Sequence, residues 1–244
     1  MHKHEQSVAD AFNQAASTYH QHSDVQAAVG QQLIQQLLNI SHHFTHVMDA
    51  GCGTGHTTLA LANSITYQSF SAIDIAENLL NQARKQMNDI QYMLSDFNHI
   101  DAININYDLI FSNLALHWSH DLAFTFRVIH EAIHRNGLFV FSIPLIGTFA
   151  EIEPHLSIQD FNSHDDIVKL LSDSGFHLIS SNVDMHQKKF TDSFSALRYL
   201  KHTGTHYVRN RRHHTLHGKS FLTKLHISHL TYQVGYFIAS KKNG

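Results

Sequence analysis

The sequence predicts an α/β fold in which a seven-stranded, mostly parallel sheet carries helices on both faces. Two observations indicate this class. Strand-like runs alternate with segments of helical periodicity from residue 46 onward, a rhythm typical of parallel sheets. A glycine-rich loop, Asp49-Ala-Gly-Cys-Gly-Thr-Gly55, joins the first strand-like run to a helical one. With 244 residues, of which 43% are hydrophobic, the chain is long enough for one domain, residues 1–244, with lid insertions.

The first 40 residues read as helical. Val8, Phe12 and Ala16 recur at the spacing of one helix face, and Val29 and Leu33 begin a second run with the same period. Because these residues precede the first strand, we expect them to form an N-terminal helical lid, residues 1–40.

The other elements alternate along the chain. We predict strands at residues 46–50, 69–74, 90–95, 107–113, 137–143, 176–183 and 230–240. We predict helices at residues 57–63, 76–87, 121–134 and 164–174, with Asn136-Gly137 as a stop signal after the third. The stretches 144–162 and 186–229 break the rhythm. We expect both to face the substrate or a partner, since connections at the carboxyl ends of strands surround the ligand in such sheets.

Charge is unevenly distributed. The net charge is -3, yet residues 188–224 contain nine Lys or Arg against one acid, Asp192. This basic segment therefore carries +8, and it would attract an acidic partner: nucleic acid, a phosphorylated small molecule or an acidic carrier protein. A solvated face without a partner is the alternative. A nucleic-acid partner is not expected, since the chain has no recognisable RNA-binding module and its pI is about 6.8.

Several other functions are disfavoured by composition. The 24 histidines are spread over the whole chain without an H-E-x-x-H run, so no metal site is predicted. Cys52 is the one cysteine, which excludes an internal disulfide. No apolar run reaches the length of a membrane span, and the first residues do not resemble a signal peptide. We therefore expect a cytoplasmic protein that does not enter a membrane.

The glycine loop differs from a dinucleotide-binding loop. Its third glycine comes one residue earlier than in G-x-G-x-x-G, and His56 stands where that glycine would be. Asp49 would repel a pyrophosphate but could help hold a cationic ligand. Asp49, Gly51, Gly53 and Gly55 are therefore candidate cofactor-binding residues.

Acidic and polar residues follow the next strands. Asp74, with Ile75 after it, ends the second strand 25 residues after Asp49, where a doubly wound fold places a carboxylate that accepts both ribose hydroxyl protons. Asp96 and Phe97 follow the third strand, although Asp96 could equally cap a helix or a turn.

These positions resemble motifs of the Rossmann-like class I methyltransferases. The glycine loop is similar to their motif I, whose glycines pass beside the methionine part of S-adenosylmethionine. Asp96 and Phe97 resemble the positions that accept from the adenine amino group and border the ring. Asn113 and Leu114, after the fourth strand, resemble motif IV, which lines the methyl-transfer pocket. The resemblance implies S-adenosylmethionine as cofactor.

Nearly the whole chain resembles one family, the malonyl-acyl carrier protein O-methyltransferases of biotin synthesis. Residues 8–19, 113–118, 195–204 and 230–234 carry this resemblance. It implies transfer of a methyl group to the free carboxylate of a malonyl thioester on acyl carrier protein. That carboxylate is already ionised near neutral pH, so no general base is required. The chain departs from the family in being shorter after residue 151 and between residues 223 and 230.

The resemblance also implies roles for four substrate-side residues. Tyr19 would close over the methyl group, Trp118 would wall the pocket, and Arg198 and Lys201 are candidates to contact the substrate carboxylate. Basic segment 188–224 would dock the carrier protein. Three alternatives stay open: another small acid or a quinone-type metabolite as substrate, a nucleic-acid substrate, or a non-catalytic module that binds S-adenosylmethionine.

Overall fold

The computed structural model describes residues 3–19, 22–103, 105–152, 159–203 and 227–241. The helices in this part of the chain are α1 (Lys3–Tyr19), α2 (Asp24–Leu38), α3 (His56–Ala62), α4 (Glu77–Ala83), α5 (Leu122–Ala132), α6 (His164–Asp173) and α7 (Ser193–His202). The strands are β1 (His46–Ala50), β2 (Ser69–Asp74), β3 (Gln91–Leu94), β4 (Tyr107–Asn113), β5 (Ile133–Pro144), β6 (Phe176–Lys189) and β7 (His229–Lys241).

The strands form one sheet in the order β3-β2-β1-β4-β5-β7-β6. β7 runs antiparallel to both of its neighbours, and the other pairs are parallel. The predicted seven-stranded, mostly parallel sheet is therefore confirmed. The strand order reverses between β1 and β4, and ligands bind at the carboxyl ends of the strands at such a switch point.

Helices cover both faces of the sheet, as predicted. Successive residues of β1 point to opposite faces, so Val47 joins a core cluster with Leu33 of α2, whereas Met48 joins a cluster with Phe126 of α5. All four side chains are fully buried. The apolar runs of the central strands follow from burial on both faces.

Several predicted boundaries differ from the structure. The predicted helix 121–134 ends at Ala132, and β5 begins at Ile133, so Asn136-Gly137 does not act as the stop signal. Asn136 has a φ of +66° and lies at an irregularity of β5 instead. β6 extends to Lys189 because it pairs with β7 along its whole length, although its last residues are too polar to read as a strand.

Helix α1 lies over the sheet through contacts with α4. The Asn13 side chain accepts from the backbone N–H of Asn78 at 2.8 Å, and the Gln82 side chain donates to the Ala16 carbonyl at 2.7 Å. Because α4 directly follows β2, these contacts place α1 above the carboxyl end of that strand. Within the described residues, no helix is both long and apolar enough to cross a membrane.

Candidate active site

A cavity of about 630 Å³ lies between α1 and the carboxyl ends of the central strands. Ten of the residues predicted from the sequence line it: Tyr19, Gly51, Gly53, Asp74, Ile75, Asp96, Phe97, Asn113, Leu114 and Trp118. Because the carboxyl ends of parallel strands meet at one edge of the sheet, residues far apart in sequence converge here. We call this space the first cavity.

Glycine occupies three positions of the loop for different structural reasons. All three have positive φ, which favours glycine. A Cβ on Gly51 would lie 2.3 Å from the Cβ of Ala115, and one on Gly55 would lie 2.9 Å from that of Ala83. A Cβ on Gly53 would meet nothing within 4 Å. Gly51 and Gly55 therefore permit close packing, and Gly53 leaves open space. Gly55, unlike the other two, does not line the first cavity.

Asp74 links the end of β2 to the glycine loop. Its carboxylate accepts hydrogen bonds from the backbone N–H of Gly53 at 2.8 Å and from that of Ala76 at 2.9 Å. Burial raises the pKa of Asp74 to about 6, and these backbone hydrogen bonds oppose the rise. A carboxylate held in this way is positioned in advance for a ligand.

Asp49 is the most deeply buried acid of the site. Asp49 is 2% exposed, and its carboxyl group accepts a hydrogen bond from the Thr58 hydroxyl at 2.6 Å. Burial raises the pKa of Asp49 to about 7, the Thr58 hydrogen bond opposes this, and Asp74 adds to it. A nearby cation would favour the ionised form of this carboxyl group.

The raised pKa of Asp49 predicts a pH-dependent stability. At pH 5 the native protein retains this proton, whereas the unfolded chain, with an ordinary pKa near 3.8, has lost it. The contribution to the free energy of unfolding is therefore present at low pH and is lost as the pH rises through about 7. We expect the wild type to lose about 2–4 kcal/mol between pH 5 and pH 8 relative to an Asp49→Asn variant.

Denaturant unfolding of both proteins at pH 5, 6, 7 and 8 measures this difference, because histidine titrations common to both cancel. If the free energies of unfolding of the two proteins changed in parallel with pH, Asp49 would have an ordinary pKa.

Asp96 and Phe97 lie beyond the end of β3. The Asp96 carboxylate accepts from the backbone N–H of Asn98 at 2.7 Å, so it also caps the turn that follows, the second reading of its sequence position. Burial raises the pKa of Asp96, and the nearby carboxylate of Glu5 raises it further. Glu5 is 8% exposed and lines the first cavity.

Glu5 was not predicted from the sequence. The available signal was its spacing, since Glu5, Val8 and Phe12 recur at i, i+3 and i+7 and all line the cavity. The sequence shows that Glu5 stands at the end of this stripe. Only the structure shows which surface the stripe packs against, and therefore that Glu5 is buried.

Asn113 connects the end of β4 to α2 and β5 through side-chain hydrogen bonds. Its side-chain nitrogen donates to the Gln26 carbonyl of α2 at 2.9 Å, and its side-chain oxygen accepts from the Ser142 hydroxyl at 2.8 Å. Leu114, the next residue, has a φ of +49°. This backbone conformation turns the chain sharply along the cavity wall.

Aromatic side chains cover one side of the cavity. The Phe12 ring makes edge contacts with Trp118 and Tyr19, with centroids 5.4 and 6.1 Å apart. His4 hydrogen-bonds to the Trp118 carbonyl at 3.1 Å and so joins α1 to the turn after β4. Burial raises the pKa of Tyr19 far above its usual value, so its hydroxyl group stays protonated at neutral pH.

The structure does not bring Arg198 and Lys201 to the cavity. Both side chains lie on the exposed face of α7, although they share a helix face as the spacing indicated. The buried side of this helix carries Tyr199 instead, whose hydroxyl accepts from that of Tyr232 at 3.0 Å. Neither residue lines the first cavity, and their contact with the substrate carboxylate stays a prediction.

The basic segment is described only in part. Three residues of the predicted docking surface, Arg209, Arg211 and Arg212, lie outside the described residues.

The electrostatics of the first cavity favour a cationic ligand. Glu5, Asp74 and Asp96 line it, and no Lys or Arg from the described part of the chain does. A pyrophosphate would be repelled, whereas the sulfonium and ammonium charges of S-adenosylmethionine would be attracted. The open space at Gly53 and the carboxylate at the end of β2 also suit this cofactor.

Comparisons with known proteins agree with this geometry. Residues 48–139 match a family described as "Methyltransferase domain". The chain is 33% identical to malonyl-[acyl-carrier protein] O-methyltransferase 2 of Coxiella burnetii, over 96% of this chain and 95% of that protein.

Two solved structures show the same fold. A candidate methyltransferase of Haloferax volcanii, in complex with the Trm112 methyltransferase activator, has a TM-score of 0.66 at 15% identity and covers 95% of this chain and 98% of that one. The N-methyltransferase NodS of Bradyrhizobium japonicum, in complex with S-adenosyl-L-homocysteine, has a TM-score of 0.53 at 12% identity and covers 87% of each chain.

The fold and the site together define a Rossmann-like class I methyltransferase that depends on S-adenosylmethionine. The extent of the match with the curated relative decides the family. The chain belongs to the malonyl-[acyl-carrier protein] O-methyltransferases.

Proposed function

We propose that this protein transfers the methyl group of S-adenosylmethionine to the free carboxylate of a malonyl thioester on acyl carrier protein, giving a methyl ester, as an early step of biotin synthesis. The observation that carries this proposal is the extent of the family relationship. It spans 96% of the chain and includes α1 and α7, which lie outside the matched methyltransferase domain.

The cofactor would be held by the acids at the strand ends. Asp74 would accept from the ribose hydroxyls, Asp96 from the adenine amino group, and Phe97 would border the ring. When bound, S-adenosylmethionine supplies a methyl group on an electrophilic sulfonium centre. The role of each residue as a cofactor ligand stays a prediction, supported by its place on the wall of the first cavity.

Positioning and exclusion of water would be the main contributions of the protein. A malonyl carboxylate is ionised near neutral pH, so the site requires no group to remove a proton. Holding two reactants in line can contribute roughly 7–11 kcal/mol to catalysis. The contacts among Phe12, Tyr19 and Trp118 would keep water from the reacting atoms.

Tyr19 is the strongest candidate to contact the substrate carboxylate. Its hydroxyl group stays protonated, so it can donate a hydrogen bond to an anion, and its side chain lines the cavity near Asp74. Among the described residues, no cationic Lys or Arg side chain on this wall competes for the role. The His202 side chain of α7 hydrogen-bonds to the Thr18 hydroxyl at 2.9 Å, so α7 lies close to Tyr19.

The function is tested by incubating the protein with labelled S-adenosylmethionine and malonyl-acyl carrier protein, then measuring a base-labile methyl ester. We expect ester formation by the wild type and at least about ten-fold slower formation by a Tyr19→Phe variant that binds S-adenosylhomocysteine normally. Cofactor binding without ester formation on any malonyl thioester would favour a non-catalytic binding module. Methylation of another small acid or a quinone-type metabolite instead would show a different substrate.

Docking of the carrier protein would involve basic segment 188–224. Within its described part, Lys188 is paired with Asp24 at 2.6 Å, whereas Arg198 and Lys201 extend from the exposed face of α7. Because these two side chains are exposed and positively charged, they can contact an acidic protein surface. The proposal therefore reassigns Arg198 and Lys201 from the substrate carboxylate to the carrier protein.

Charge reversal should separate docking from chemistry. Replacing Arg209, Arg211 and Arg212 by Glu should raise the apparent KM for malonyl-acyl carrier protein by at least about ten-fold, because electrostatic attraction guides association. The KM for a small malonyl thioester should change less than about two-fold. The exposed Arg135 lies near the amino end of β5, away from the carboxyl ends of the strands that border the first cavity, so Arg135→Glu is a control for charge reversal outside segment 188–224. Equal effects on both substrates would contradict the docking role.

The same proposal includes the wider organisation of the chain. Residues 1–40 would act as a cover over the cofactor, and stretches 144–162 and 186–229 would face the substrate or the carrier protein. A cytoplasmic location, expected from the sequence, is also part of this proposal.

A further inference from the structure

Helix α7 contacts the end of α1 through a side-chain hydrogen bond. His202 Nδ1 lies 2.9 Å from the hydroxyl oxygen of Thr18. The Thr18 hydroxyl donates its proton to the Ala15 carbonyl at 3.1 Å. Because this hydroxyl group has a single proton, the His202 ring must donate from Nδ1, and Thr18 accepts. The direction of the bond between α7 and α1 is therefore determined.

His22, which lies between α1 and α2 in the sequence, packs on the His202 ring. The two imidazole rings are stacked, with centroids 4.8 Å apart and planes inclined by 24°. His22 also makes an edge contact with the Tyr199 ring, with centroids 6.3 Å apart. A ring that is stacked on one face and hydrogen-bonded at Nδ1 has little freedom to rotate. The His202 donor is therefore held in one direction, toward Thr18.

The residue after Thr18 is Tyr19, which lines the first cavity. α1 ends at Tyr19, and the last turn of a helix opens more easily than its middle, because its carbonyl groups have no intrahelical partner. A contact from α7 to this turn therefore restricts the backbone from which the Tyr19 side chain extends.

We propose that His202, stacked on His22, is a positioning residue for methyl transfer: it holds the last turn of α1 against α7 through Thr18, so that the Tyr19 hydroxyl group stays at the first cavity. This inference rests on the proposed function, in which Tyr19 contacts the substrate carboxylate. His202 does not line the first cavity itself, so it acts through Tyr19. A misplacement of about 1 Å can slow a reaction about 100-fold.

The charges around the stacked rings make this contact sensitive to acid. The groups that face His22 are His202 and Tyr199 of α7, Asp24 of α2 and Lys188 of β6, and the last two are paired at 2.6 Å. Burial lowers the pKa of His22, the neighbouring imidazole and ammonium groups lower it further, and the Asp24 carboxylate raises it. A lowered pKa means that the stacked arrangement is favoured while His22 is neutral and is weakened as the pH falls below the ordinary value of 6.5. We therefore expect the positioning effect to be larger at pH 8 than at pH 5.5.

The first experiment measures ester formation on malonyl-acyl carrier protein at pH 8. His202→Leu removes the donor, so kcat should fall at least about ten-fold while the apparent KM changes less than about three-fold. His202→Asn keeps an N–H group near the position of Nδ1, so its kcat should stay within about three-fold of the wild type. His177→Leu is the matched control, since His177 is exposed near the amino end of β6. An equal fall in both variants at residue 202, or a fall in neither, would overturn the proposal.

The pH dependence separates positioning from a general structural role. The ratio of the wild-type kcat to that of His202→Leu should fall at least about three-fold between pH 8 and pH 5.5, because titrations common to both proteins cancel. His22→Phe keeps a stacking ring without a titrating group, so its kcat relative to His202→Leu should be the same at both pH values. A constant ratio for the wild type would overturn the proposal, since the stacked pair would then not hold α1.

Fluorescence tests the contact between α1 and α7 without methyl transfer. Trp118 is the one tryptophan of the chain, and its ring contacts Phe12 of α1. Acrylamide should quench it at least about 1.5-fold more efficiently in His202→Leu than in the wild type at pH 8, and to the wild-type extent in His202→Asn. A wild type that forms no ester would contradict the proposed function, whereas this difference in quenching would still support the contact. Equal quenching in all three proteins would overturn the inference.

Discussion

Replacing Asp74 by alanine should weaken binding of S-adenosylhomocysteine by at least about 100-fold. Two hydrogen bonds between a carboxylate and the ribose hydroxyls would be lost, and bonds to charged groups contribute about 1.5–3 kcal/mol each. The variant also removes the acceptor that positions the backbone N–H groups of Gly53 and Ala76. Titration calorimetry gives the affinity, and denaturant unfolding gives the change in stability.

Asp108 provides a matched control for this prediction. Its carboxylate also accepts from two backbone N–H groups, those of Thr45 and His46 at 2.9 and 2.8 Å. These residues lie at the amino ends of β1 and β4, away from the cavity. Asp108→Ala should therefore reduce the free energy of unfolding while leaving the affinity of the folded protein for S-adenosylhomocysteine within about two-fold. A similar loss of affinity in both variants would show that Asp74 acts only through stability.

The second prediction with a large expected effect compares alanine substitutions at two glycines of the loop, which should have different consequences. Gly51→Ala should destabilise the fold by about 2–4 kcal/mol, because its Cβ would lie 2.3 Å from that of Ala115 and the backbone has a φ of +84°. Gly53→Ala should cost only about 1 kcal/mol, since its Cβ meets nothing within 4 Å. Its methyl group would instead occupy open space on the wall of the first cavity.

The Gly53→Ala variant should therefore lose ligand affinity without losing its fold. We expect S-adenosylhomocysteine to bind at least about ten-fold more weakly, by the same calorimetric measurement. For Gly51→Ala the midpoint of denaturant unfolding is the informative quantity. A Gly53→Ala variant with unchanged affinity would show that the ligand does not approach the loop at this residue.

Much of the cofactor side could be predicted from the sequence. Asp74 and Asn113 end strand-like runs and Asp96 follows one, and the carboxyl ends of parallel strands meet at one edge regardless of how the helices pack. The glycine loop was recognisable for a similar reason, because positive φ values at Gly51 and Gly53 require glycine locally. These features depend on local backbone geometry and on strand order.

The substrate side could be predicted only in part. The i, i+3 spacing of Arg198 and Lys201 correctly indicated a shared helix face, but periodicity does not say which face meets the core. Tyr199, one residue from Arg198, lies on the buried side instead. Glu5 was missed because it belongs to no motif, and its surroundings arise from contacts with residues far away in sequence.

The sequence by itself determined the class of the fold, the order of most elements and the acids that follow the strands, because these depend on local periodicity and turn chemistry. Only the tertiary structure decided that α1 covers the first cavity, that Asp49 is buried, and that Arg198 and Lys201 face outward. The physical reason is that burial, which sets pKa values such as that of Asp49, is created by packing between distant segments.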